Sequence, residues 1–304
     1  MTEKEQNSRF RRGYDAAFRA SPPDWRLASD NWRRAAEGGH ARAQFYLGTC
    51  YESGAGVPRN ARRAVAWYRR AAEQGHRDAQ FNLGMAHRDG FGVARDTRQA
   101  LGWFRAAADA GDAESQCEVG YAFMHGEGIR RDRRMGVRYY RQAAAQGLAR
   151  AQYNLGLCYK LGDGVAANAA TAFEWFVQAA AQGHVDAMLE VAYSFREGEG
   201  ASQDEMEALR WYRRAARRGE PIAQREIGLA YRDGRGVRQN WRHAVRWYKK
   251  AAENGDDWAQ YCLGLTYLYG EGVRKNPREA KRWLRKAAKA GVEEAEDVLR
   301  ALAA

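Results

Sequence analysis

Apolar and small residues recur every three to four positions in short blocks along this chain. One block is Ala43, Leu47, Cys50 and Tyr51, and the next is Ala64, Tyr68, Ala71 and Ala72. A 3.6-residue period in both predicts two amphipathic helices, an A helix and a B helix. Gly54 and Gly56 interrupt the pattern between them, since glycine enters the φ > 0 region without steric cost. Asn60 then offers a short polar side chain to the free N–H groups that open the B helix, which stops at Gly75.

The same phrase returns every 36 residues with no insertion or deletion. Gly48, Gly84, Gly120, Gly156, Gly228 and Gly264 keep that step, as do Trp67, Trp103, Tyr139, Trp175, Trp211, Trp247 and Trp283. A period of this length predicts a solenoid, whose units bury a core only by stacking. The fold class is therefore all-α, an α/α solenoid of 36-residue helix-turn-helix repeats. Seven repeats are expected at 43–78, 79–114, 115–150, 151–186, 187–222, 223–258 and 259–294. A degenerate capping repeat at 8–42 precedes them, with a first helix over roughly Ser8–Ala20. A C-terminal capping helix at 295–304 follows, and residues 1–7 are expected to be disordered.

Helix punctuation repeats with the same step. Asn60, Asp96, Asp132, Asn168, Asp204, Asn240 and Asn276 are the expected B-helix N-caps, and Glu207 and Glu279 stand where a capping box would place them. His40, His76 and His184 follow the terminal glycines and are read as turn residues rather than ligands. The mid-helix glycine costs roughly 1 kcal/mol against alanine. Close approach by a Trp67-type side chain or a neighbouring backbone is the expected reason for it, and Ala192 is the one departure.

Charge adds little. The net +12 comes from 50 basic residues against 38 acidic ones, and the cations are scattered among acids rather than gathered in a stripe. Cys50, Cys117, Cys158 and Cys262 form no CxxC pair, and two of them share a position held elsewhere by small residues, so four free thiols are expected. No apolar signal core or membrane-length stretch is visible, which points to a cytoplasmic protein. The GxG turns lack the third glycine and preceding strand of a nucleotide site. No cofactor, metal site or catalytic constellation can be assigned, so the expectation is a protein that is not an enzyme.

The pattern AxxxxLGxxYxxGxGVxxDxxxAxxWYxxAAxxG, from Ala43 to Gly291, resembles the Sel1-like repeat of the tetratricopeptide-like superfamily. The resemblance implies a right-handed superhelix whose A helices line a concave face. It also implies scaffold or adaptor work in bacterial regulation, the envelope or host interaction. A cysteine-rich subgroup with one disulfide in each repeat is not matched, since no repeat here holds two cysteines.

On the A helix, positions 42, 45, 46, 49, 52 and 53 point away from the Leu47 core by helical geometry. That arc places Phe45, Phe81, Tyr153 and Tyr261 at one position, Tyr121 and Tyr193 at another, Asn82 and Asn154 at a third, and Arg88, Lys160, Arg196 and Arg232 at a fourth. These twelve residues are the expected partner-binding set: aromatic anchors beside asparagines and cations. Glu118, Glu190 and Glu226 share the surface, so a protein or peptide segment, one with acidic stretches, suits it better than a phosphate track. A basic solenoid binding nucleic acid or another polyanion is the alternative.

Overall fold

The computed structural model describes residues 1–303, and among them are seventeen α-helices and no strand. The A helices are α1 (Glu3–Phe18), α3 (Ala41–Ser53), α5 (Arg77–Asp89), α7 (Ala113–His125), α9 (Ala149–Leu161), α11 (Val185–Glu197), α13 (Pro221–Asp233), α15 (Asp257–Tyr269) and α17 (Glu293–Ala301). The B helices are α2 (Trp25–Glu37), α4 (Ala61–Glu73), α6 (Thr97–Asp109), α8 (Arg133–Ala145), α10 (Ala169–Ala181), α12 (Glu205–Arg217), α14 (Trp241–Glu253) and α16 (Pro277–Lys289). The all-α solenoid follows from this alternation. The chain forms two compact units, one of residues 1–151 with 163–165, the other of 152–162 with the residues from 166 onward.

Each expected B-helix cap forms: the side chains of Asn60, Asp96, Asp132, Asn168, Asp204, Asn240 and Asn276 accept a backbone N–H from their first turn. The capping boxes do not. Glu207 reaches forward to Arg210 and Glu279 to Arg282, because a cation one turn along competes with the cap backbone. A capping box exists instead at Thr2 and Glu5. Helix α1 thus starts at Glu3, not Ser8, and residues 1–7 are largely helical rather than disordered. The closing helix also starts earlier than expected, at Glu293.

His40, His76 and His184 are more than turn residues. Each is the N-cap of an A helix, its Nδ1 accepting the backbone N–H of Ala43, Ala79 and Ala187 at 3.1, 3.4 and 3.3 Å. Burial lowers the pKa of each, which favours the neutral, accepting ring.

Glycine explains two joints. A Cβ on Gly48 would lie 2.6 Å from the Tyr68 ring, and one on Gly84 2.6 Å from the Phe104 ring. The intruding ring is thus the residue after Trp67, not Trp67 itself. Tyr68 is 1% exposed, whereas Trp67 is only partly buried against the core. In the loop, Gly56 has φ +72° and a Cβ there would stand 2.0 Å from the Trp25 carbonyl oxygen, at the first residue of the preceding B helix. Backbone rests on backbone at this joint.

Conserving the joint further, a glutamine on each of several A helices serves the end of the preceding B helix. Gln44, Gln80 and Gln116 donate Nε2–H to the carbonyls of Ala36, Ala72 and Ala108, which lie in the final turn where helical carbonyls lack intrahelical donors. The Oε1 of Gln44, Gln116 and Gln152 in turn accepts from Gln74, Gln146 and Gln182 at 2.7, 2.8 and 2.7 Å.

Candidate binding face of the A helices

Basic residues near the C-terminal end of one A helix reach an acid thirty positions along, on the next A helix. Arg88 Nη1 meets Glu118 Oε2 at 3.1 Å in the first unit. In the second, Lys160 Nζ meets Glu190 at 2.6 Å and Arg196 Nη1 meets Glu226 at 2.6 Å. Arg88 and Arg196 also hold the residue that follows them, Asp89 and Glu197. Such a charge-assisted bond contributes about 1.5 kcal/mol or more when half-buried.

A second cross-helix contact runs thirty-one positions along. The Phe45 ring stacks on His76 at 4.8 Å, and the Tyr153 ring on His184 at 4.6 Å. At the same repeat position Arg225 takes the ring's place, and its partner is then an acid, Asp256, at 2.9 Å. In these three pairs the N-cap residue and the A-helix residue that faces it are chemically matched, ring with ring and cation with carboxylate, whereas Phe81 and Leu189 stand thirty-one positions before the acidic caps Asp112 and Glu220.

In the first unit the face opens into two clefts that share Asp89. One, of about 540 Å³, is lined by Glu52, Phe81, Asn82, Met85 and Phe91 among others. The other, of about 530 Å³, is lined by Arg88, Arg95, Glu118, Tyr121, Glu127 and Arg150. Arg150 bridges Glu118 at 2.7 Å and Glu114 at 2.8 Å, so Glu118 is gripped by two guanidiniums. Tyr121 is 42% exposed and lies 4.2 Å from the His125 ring.

In the second unit Tyr193 lies between two cations, Lys160 Nζ at 4.9 Å and Arg196 at 5.1 Å from its ring centre. Arg232 holds Asp233 at 2.6 Å. Tyr261 is half-buried and packs with the cluster built around Leu284 and Ala295. Asn154 is half-buried on α9.

The expected binding residues therefore fall into two groups. Phe81, Asn82, Arg88 and Tyr121 come together on the cleft walls. Phe45 and Tyr153 are spent on stacking within the array, while Lys160 and Arg196, like Arg88 on its cleft wall, are held in ion pairs with an acid on the next A helix. Glu118 was placed on the surface but not paired with a cation, and Arg150, Arg225 and Asp256 were not named as binding residues. The signal was present in the sequence as opposite charges thirty to thirty-two positions apart, close to one repeat length.

Among the described residues no helix is long and apolar enough to cross a membrane, and no cluster of three His, Cys, Asp or Glu side chains is suited to hold a metal. The Sel1 repeat model matches residues 41–76, 77–112, 113–148, 149–184, 185–220, 221–256 and 259–292. The first six begin at the first residue of an A helix, two residues before the frame set from residue 43, and the last begins at residue 259, in that frame. A Sel1 repeat protein from Oxalobacter formigenes is similar at 36% identity and TM-score 0.77, covering 99% of this chain and 87% of its own. A protective antigen with an SLR fold, present in uropathogenic Escherichia coli strains, is similar at 33% identity and TM-score 0.84 over 88% of this chain. This chain spans 57% of that antigen's length. No curated protein matches. Sel1 repeat proteins are generally protein-interaction scaffolds, and with seven matched repeats filling residues 41–292 the chain belongs to the Sel1 repeat family.

Proposed function

We propose that this protein is a non-catalytic scaffold that binds a protein or peptide segment on the face lined by its A helices. The observation that carries the reading is the pair of adjoining clefts in the first unit, where Phe81, Met85 and Tyr121 offer apolar surface beside Asn82, Arg88 and Arg150. Aromatic anchors ringed by polar groups are the usual composition of a binding hot spot. A bacterial setting, in regulation, the envelope or host interaction, is favoured by both relatives being bacterial proteins. Four thiols dispersed on four A helices favour a reducing compartment such as the cytoplasm.

A second reading, binding of nucleic acid or another polyanion, draws on Arg214, Arg217 and Arg218, which line a cleft of about 490 Å³ with Gln182. Crosslinking the tagged protein in its native cell, with Met85→Glu/Tyr121→Glu beside Arg217→Glu/Arg218→Glu, separates the two. Loss of the crosslinked protein in the first pair alone is the expected result. Loss in the second pair alone, with binding that collapses between low and physiological salt, would replace the scaffold reading by the polyanion one.

A further inference from the structure

The cross-helix ladder has a missing rung. Arg232 occupies the repeat position of Arg88 and Arg196, and like Arg88 it holds the next residue through Nε and Nη2, at 2.6 and 3.0 Å from Asp233. In Arg88 and Arg196 the third nitrogen, Nη1, binds a glutamate thirty positions along. For Arg232 that position is Cys262, and among the described residues no carboxylate pairs with its partly exposed Nη1. Burial pushes the Cys262 thiol up to about 11, so it carries no charge near neutral pH.

A second donor is stranded at the same place. The Tyr248 hydroxyl, on a side chain 1% exposed and packed in one cluster with Cys262, has no hydrogen-bond partner. In the first unit the corresponding hydroxyl, that of Tyr68, bonds Glu52 and Asn82, the residues at the positions of Arg232 and Cys262. Unpaired buried donors are uncommon and costly. Here one such donor, with a partly exposed guanidinium nitrogen, lies beside a residue whose counterparts are carboxylates at Glu118, Glu190 and Glu226 and amides at Asn82 and Asn154.

The helix that carries Cys262 departs from its counterparts in one direction. Trp258 stands where other A helices place Arg42, Asp78, Glu114, Arg150, Asp186 or Ile222, and Tyr269 stands where they place Ser53, Asp89, His125, Leu161, Glu197 or Asp233, so this helix alone is aromatic at both ends. Both are exposed, at 46% and 64%, and no charged residue lies between them.

We propose that Arg232 is the docking point for a carboxylate supplied by a partner protein, an acidic side chain flanked by apolar residues, which completes the rung that Glu118 and Glu226 complete elsewhere. The proposal rests on the scaffold reading and names the chemistry of its ligand. The charge complementarity is specific, because the array itself shows which group fits: a carboxylate on Nη1, with the guanidinium already oriented by Asp233.

The test uses two blocked tripeptides, acetyl-Leu-Glu-Leu-amide and acetyl-Leu-Gln-Leu-amide, titrated into the full chain while the Arg232 Nε–H and Trp258 indole N–H signals are followed by NMR. The glutamyl peptide is expected to shift both signals and the glutaminyl peptide neither. Cys262→Glu, which supplies the carboxylate internally, should weaken the response at least about tenfold. Cys262→Ser should retain the response, and Arg232→Gln should abolish it at Trp258. Equal responses to the two peptides, or unchanged binding to Cys262→Glu, would overturn the assignment. So would concentration-dependent self-association abolished by Cys262→Glu, which would make the occupant a second copy of this chain. Cellular partner capture that is lost in Met85→Glu/Tyr121→Glu but intact in Cys262→Glu would overturn this site while leaving the scaffold reading in place.

Discussion

Arg196 on one A helix reaches Glu226 on the next at 2.6 Å, with both side chains largely shielded from water. The pair fixes one helix against another, at a distance in sequence close to the repeat length. Its worth can be measured separately from ordinary surface charge pairing, which contributes little.

Glu226→Gln is expected to lower stability by about 1–2 kcal/mol, because it leaves the Arg196 guanidinium half-buried with Glu197 alone and no carboxylate on the next helix. Urea unfolding of both single variants and the double variant gives the coupling energy. A coupling indistinguishable from zero would mean that the rung holds nothing.

The histidine caps give the array a pH dependence with a definite sign. Burial lowers the pKa of His40, His76 and His184 in the folded state, so folding favours the neutral ring. Their contribution is fully present above the unfolded histidine value of about 6.5 and is lost as pH falls below it through the lowered folded values. Protonation would also put a cation at a helix N-terminus and remove the acceptor for the Ala79 N–H. Melting temperature should fall between about pH 7.5 and pH 5.5 in the wild type. It should fall less in His40→Asp/His76→Asp/His184→Asp, which borrows the cap used at Asp112.

Glycine substitutions should separate two kinds of helical glycine. Gly84→Ala pushes a methyl to 2.6 Å from Phe104 and is expected to cost about 1–3 kcal/mol. Gly102 also lies in a helix but has nothing within 4 Å of its would-be Cβ, so Gly102→Ala should stabilise by about 0.5–1 kcal/mol. Thermal melts that moved in the same direction for both would contradict the ring-contact explanation.

Whole repeats can be removed in register. Deleting residues 185–220 sets Glu226 at the place of Glu190, opposite Lys160, whereas deleting 221–256 sets Cys262 opposite Arg196. Both products should be helical and cooperative, with the first more resistant to urea. The reverse order would show that the ladder does not govern stability.

The helix pairs, their caps and their turns were legible because they depend on local chemistry: Asn60 is a cap wherever a helix starts beside it. What was not legible required knowing which A-helix residues lie side by side. Phe45 looked like an exposed anchor until His76 was found stacked on it, and Arg88 looked like a free cation until Glu118 was found across the gap. The candidate site shrank for the same reason: residues at outward helical positions were claimed by the adjacent helix before any partner could use them. His76 was misread because histidine is not among the preferred caps, yet its Nδ1 performs the same task as an aspartate oxygen.

Gly56 presses bare backbone against the Trp25 carbonyl, and in the other repeats the second loop glycine meets the preceding B helix in the same way, as Gly92 does at Ala61 and Gly200 at Ala169. A hinge made of main chain asks nothing of the side chains around it. Faces can therefore drift, one rung can lose its acid and one helix can turn aromatic, while the spacing from repeat to repeat is inherited unchanged. The array behaves as a ruler whose markings can be rewritten singly, which is the property a lineage needs if it is to change what it binds without having to refold.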